Sequence, residues 1–178
     1  MAYTTPPTFT AFNTLTAAQM TILGNNDLSF RDGTGLGDNT ITSEKLKSTV
    51  AFRARRTTSQ ALGDLSAAKI QFATETYDLG ADFDNATNYR FVAPVAGVYH
   101  FACGANYQAS ATRGALLIYV NGVVAETFED VAATVVRAVS GATDLSLAAN
   151  DYVEVYGFRG GAGNISEAFF TGHLVGRT

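Results

Sequence analysis

The sequence predicts an all-β fold, a sandwich or jelly roll of eight or more strands. Three observations predict it. From Thr49 onward, short runs rich in β-branched and aromatic residues follow one another: AFRARR, KIQFAT, NYRFVA, GVYHFACGANY, ALLIYVNGVVAETF, TVVRAVSG, TDLSLAANDYVEVYGF and AFFTGHLV. Gly, Asn, Asp or Pro separates each run from the next, which is strand-and-turn grammar. The composition agrees, with seventeen Gly and only 16% charged residues, as expected where turns are many and long solvated helices few.

The runs assign elements in order. Ala51-Phe52 and Ala54 open the first strand, and the Arg53, Arg55 and Arg56 side chains beside them are expected on a solvated or inter-subunit charged edge. FVAPVAGVYHF, Phe91 to Phe101, reads as strand, Pro turn, Gly and strand. Its aromatics are assigned to packing. Asn121-Gly122 between two β-branched runs is the signature of a two-residue type I′ hairpin, because both turn positions need positive φ. Asn150-Asp151 marks a second turn. In the following YVEVY, alternation places Val153 and Val155 on one face and Tyr152, Glu154 and Tyr156 on the other. RGGAGN, Arg159 to Asn164, reads as a Gly-rich loop.

Residues 1 to 48 could not bury a core alone. Residues 1–30 are read as an anchor, with Pro6, Pro7, Phe9, Phe12, Leu15 and Met20 as its contact residues. A short helix is expected there: Thr16 is a plausible N-cap with Gln19 three positions on, Leu15 and Met20 form a staple, and Gly24 supplies the C-cap. Two turns of helix are marginal in water and need a partner surface. Residues 31–48, containing RDGTGLGDNT, are a linker or stalk, and residues 49–178 are the head.

Chemistry is sparse. A net charge of -4 with scattered Lys and Arg offers no basic surface for nucleic acid. No run approaches the length of a membrane span, and the start lacks the pattern of a secretory signal, so neither membrane insertion nor export by a signal in this chain is expected. The single Cys103 is a small buried hydrophobe. His100 and His173 have no metal-ligand spacing and are read as structural, and no nucleophile elbow or phosphate loop appears. Asp78, Asp82 and Asp84 lack the pattern of a calcium loop and are read as solvated acids. No enzyme activity, metal or cofactor is expected.

The order of landmarks resembles the globular head of complement C1q and its relatives, which share the tumour-necrosis-factor-like jelly roll. Phe91, Pro94, Gly97, Tyr99 and Phe101 fit the pattern F-x-x-P-x-x-G-x-Y-x-F; Ile70 and Phe72 match an earlier apolar pair; Leu145, Leu147, Asp151 and Val153 match the strand pair that follows; and Phe170-Thr171-Gly172 matches the closing strand. Two departures stand out: the loop before Phe91 lacks the usual Thr-Gly pair, and His173 stands where the family is usually apolar. The resemblance covers residues 49–178 and implies a ten-strand, two-sheet jelly roll assembled as a homotrimer. Phe52, Phe72, Phe91, Tyr99, Phe101, Tyr152 and Phe170 are then expected in the core or the trimer contacts, with Tyr99 packing toward a neighbouring subunit. PPTFTAFNTLTAAQM and DGTGLGDNTITSEKL resemble the starts and linker turns of bacteriophage virion proteins.

Together these readings imply a virion structural protein: a fibre, spike or decoration protein that is anchored to another virion protein and presents a trimeric head to a host surface glycan or protein. Contact is expected from Tyr77, Asp82, Phe83, Asn85, Arg159 and Asn164. Two alternatives are a purely architectural trimer without a receptor and a secreted adhesion protein of the same fold.

Overall fold

The computed structural model describes residues 17, 18, 20, 21, 50–108, 111–131 and 138–178, with backbone alone at 130 and 131. The chain separates into two units, Met1–Lys47 and Ser48–Thr178. In the first, Ala17, Ala18, Met20 and Thr21 are helical, and the Thr21 hydroxyl donates to the Ala17 carbonyl at 2.9 Å. Met20 is exposed. Pro6, Pro7, Phe9, Phe12, Leu15, the helix caps and the stalk lie outside the described residues.

The second unit is an antiparallel sandwich. Its strands are β1 (Ala51–Arg56), β2 (Gln60–Leu62), β3 (Ala68–Lys69), β4 (Thr74–Asp78), β5 (Phe83–Asp84), β6 (Arg90–Val92), β7 (Gly97–Tyr107), β8 (Arg113–Val120), β9 (Val123–Val131), β10 (Ala138–Leu147), β11 (Tyr152–Gly160) and β12 (Gly163–Arg177). The first sheet runs β10-β7-β12-β1-β4, with β2 on β12; the second runs β5-β6-β11-β8-β9, with β3 on β11. The two main paths hold the ten strands expected, and β2 and β3, pieces of three and two residues, pair beside them among the described residues.

Three boundaries differ from expectation. KIQFAT is mostly a connector between β3 and β4: Ile70 and Phe72 are buried, yet only Lys69 and Thr74 at its ends are strand. The described part of TVVRAVSG and the following TDLSL form one strand, β10, paired along its whole length with β7. RGGAGN is no loop, since β11 runs through Gly160 and β12 begins at Gly163, leaving Gly161 and Ala162 as a tight turn with Gly161 at φ 85°.

The core is a ring stack between the sheets. Phe52 lies 4.9 Å from Phe83 and 5.0 Å from Phe91, nearly parallel to both, and 5.0 Å edge-on to Phe170. Phe72, Tyr99 and Phe101 complete the buried cluster. Period-2 alternation explains it, as residues 97, 99, 101, 103 and 105 of β7 all point inward. Asn121 and Gly122 adopt φ 52° and 80°, as the hairpin reading requires. The Asn121 side chain then donates to Asp151 at 2.7 Å and accepts from the Tyr152 amide at 3.0 Å, tying the β8–β9 turn to the β10–β11 turn.

Candidate functional site

The two outer faces of the sandwich are finished differently. On the second sheet the outward side chains cover one another. Tyr119 and Tyr156 lie with ring centres 4.3 Å apart, Arg90 sits 4.5 Å over Tyr152, and Arg113 sits 5.1 Å over Phe158 while bonding Glu129. Glu154 is buried on this face and is neutralised by Lys69 at 2.7 Å. Each of these rings has a cation or a second ring against it, and Val123 and Val124 of the edge strand β9 are the exposed apolar side chains of this sheet among the described residues.

The outer face of the first sheet is built from small groups. Ala138, Ser140, Ala142 and Ser146 on β10, Ala102 and Gly104 on β7 and Thr171 on β12 alternate with the inward core residues. Phe169 lies across Gly104, where an added Cβ would meet its ring at 2.4 Å. Arg53 reaches over Phe169 at 5.6 Å, and Arg53, Arg55, Asn106, Ser140 and Phe169 border a groove of about 270 Å³. Val98 and Tyr77 add partly exposed apolar surface.

The expected contact residues do not come together. The β4–β5 loop lies at the end where Val50 enters the domain, because Leu79 bonds Ala51 and Leu174 bonds Val50. The Gly161–Ala162 turn lies at the opposite end, with β7 residue Tyr107. At the entry end, Asp82, Phe83, Asn85, Pro94 and Asn150 line an open groove of about 580 Å³. Phe83 is only 6% exposed at its floor and belongs to the ring stack, which corrects the expectation of a ligand contact. Tyr77 is in β4, outside this groove.

Arg159 is also a correction. It is wholly buried, points between the sheets, and donates to the carbonyls of Gly161, Gln108 at 3.2 Å and Asn164 at 3.1 Å. It fastens the far end of the sandwich and presents nothing to a ligand. Tyr99 is buried too, with its hydroxyl on the Val95 carbonyl at 2.7 Å, so it faces the core of its own chain and not a neighbour. Tyr152 is neither core nor on the small-residue face, since it stands under Arg90 on the second sheet.

The acids of the β4–β6 region mostly cap turns. Asp78 accepts from the Gly80 and Phe83 amides. Asp84 accepts from the amides of Thr87 and Ala86 and from the side chain and amide of Asn88, which hold its carboxyl down at about 2. Burial and the neighbouring Asp78 push Asp82 up. Among the described residues no three metal-ligating side chains converge, and no helix is long and apolar enough to cross a membrane. Cys103 is buried, which pushes its thiol up to about 12. The structure does bring His100 and His173 side by side, which sequence spacing did not indicate.

Two five-stranded main sheets in these orders define a jelly roll of the C1q/TNF type. Residues 51–175 match the C1q domain, and the chain belongs to that family. The globular domain of zebrafish complement 1qA protein is similar at 26% identity and a TM-score of 0.59, covering 74% of this chain and all of that one. PRD1 vertex protein P5 is similar at 11% identity and a TM-score of 0.58, covering 71% of this chain and 96% of that one. The Eiger TNF of S. frugiperda has 10% identity and a TM-score of 0.58, over 74% and 95%. At those two identities the likeness is one of fold. No curated protein matches by sequence.

Proposed function

We propose that this chain is a virion structural protein whose C1q-like head assembles as a homotrimer and makes multivalent contact with a host surface. The observation that carries the assembly is the asymmetry of the faces. The second sheet carries large outward rings packed on one another or under arginines, whereas the first carries mainly Ala, Gly, Ser and Thr, with Phe169 under Arg53 and Val98 partly exposed. Small side chains let another backbone approach closely, and a closed cyclic arrangement buries such a face without leaving it open to further growth.

The virion placement is supported by the resemblance of residues 1–48 to phage fibre starts and by the presence of a vertex protein among the structural neighbours. The N-terminal segment, through Phe9, Phe12, Leu15 and Met20, is assigned to another virion protein. Three linked heads gain avidity from individually weak contacts. The groove at Asp82 and Asn85 and the far turn near Asn164 are the contact candidates; lying at opposite ends, they would meet different partners.

Light scattering on the full chain tests the assembly. The expected mass is three times 18.8 kDa, falling to one chain in Phe169→Asp with its β-sheet circular dichroism intact. A parent protein at the mass of one chain sinks the assembly. Labelled protein that binds host cells supports attachment. Absence of binding, with particles that fall apart when the gene is deleted, moves the assignment to a purely architectural trimer.

A further inference from the structure

Of the whole sequence only two residues are histidines, at positions 100 and 173, yet the fold places them directly opposite each other on neighbouring strands. His100 is on β7, His173 is its register partner on β12, and both point to the outer face of the first sheet. Their ring centres are 5.3 Å apart, with the planes inclined at 44°. On the other flank of His100, Asp144 of β10 is again the register partner, and its carboxylate is 2.7 Å from His100 Nδ1. Asp144, His100 and His173 thus form one row across three strands.

We propose that this row is a binding site for a divalent transition metal of the zinc class, with His100 and His173 as ligands and Asp144 as the group that orients His100. A zinc ion about 2.0–2.1 Å from an imidazole nitrogen lies about 3.2 Å from the ring centre, so two imidazoles on one tetrahedral ion have centres about 5.2 Å apart. The observed spacing matches this. Asp144 on Nδ1 leaves Nε2 as the ligating nitrogen, the carboxylate–histidine–metal arrangement that fixes the tautomer and the ring orientation. On β7, β10 and β12 the neighbours of the pair on this face are Val98, Ala102, Ala142, Ser146, Thr171 and Val175, none of them cationic, and Arg53, opposite Thr171 on β1, is directed over Phe169. The remaining positions on the ion are open to water or to a group from a second copy. Both ligands belong to one chain, so the site does not rest on the proposed assembly.

The composition makes the test specific. Two histidines give two sets of imidazole signals, and the lone Cys103 is buried and does not compete. Tag-free full-length protein is titrated with Zn²⁺ against a chromophoric chelator while the imidazole NMR signals are followed. One ion per chain, with both histidines shifting together, is expected. His173→Ala and His100→Ala should each weaken binding at least tenfold, and Asp144→Asn about 10- to 100-fold, as outer-shell partners of metal-bound histidines do. Imidazole signals of the unsubstituted protein that stay still at saturating Zn²⁺, or an affinity unchanged in His173→Ala, would overturn the site and leave a stacked pair.

Discussion

Truncating Phe52 removes the centre of the ring stack. The side chain is 1% exposed and lies among Phe83, Phe91, Phe170 and Phe101, at centre distances of 4.9, 5.0, 5.0 and 6.4 Å. A Cβ added at Gly172 would lie 2.8 Å from the Phe52 ring, so that position has no side chain to fill the space, and the surrounding rings are held on one another through Phe91–Phe101, Phe101–Phe170 and Phe83–Phe170. A buried Phe→Ala change costs about 3–5 kcal/mol, and a site that cannot collapse belongs in the upper half of that range, about 4 kcal/mol. Phe52→Leu keeps most of the volume and should cost about 1–2 kcal/mol. Phe83→Ala should cost less than Phe52→Ala, because that ring is at the rim with fewer partners. Urea unfolding at fixed protein concentration reads all three. With a slope of about 2 kcal/mol per M, the Phe52→Ala midpoint falls by about 2 M. A loss under about 2 kcal/mol, or a larger loss for Phe83→Ala, would refute the placement of Phe52 at the centre.

Two further outcomes follow from the titratable groups. Cys103, with its thiol pushed up to about 12 by burial, should be inert to a thiol reagent at pH 8 in the native protein and give one reactive thiol per chain after denaturation; rapid native labelling contradicts its burial. Asp84, held down at about 2 by the Thr87, Ala86 and Asn88 amides, binds its proton more weakly folded than unfolded. Its contribution is therefore complete above pH ~4 and is lost as the pH falls toward 2. Glu75 and Asp82 are pushed up, chiefly by burial, so they act in the opposite direction. Comparing the melting temperature of Asp84→Ala with that of the parent isolates the Asp84 part: the gap should narrow between pH 4 and pH 2, and a constant gap would mean that the amide contacts do not hold the carboxylate.

Much of the strand plan was legible because it depends on local rules. GVYHFACGANY announces its period-2 face, and β7 occupies those residues with Tyr99, Phe101 and Cys103 turned inward. Asn121-Gly122 announces its turn for the same reason, since few dipeptides tolerate two positive φ angles. Arg159 was misread because an arginine beside four small residues has the composition of a loop. Its charge is satisfied by carbonyls, one of them on Gln108, 51 residues away, and no local pattern encodes that partner. Glu154 alternates correctly with the valines but is buried, because Lys69 reaches it from 85 residues away.

The sequence by itself determined the fold class, the inward faces of the long strands, the hairpin at Asn121-Gly122 and the family resemblance, all of which follow from alternation, turn chemistry and the spacing of apolar landmarks. Only the tertiary structure decided which outer face carries packed rings and which carries small side chains, that the expected contact residues lie at opposite ends, and that Asp144, His100 and His173 share one row. These depend on strand order and register between segments far apart in the chain, and register is set by the packing of the whole sandwich rather than by any one segment.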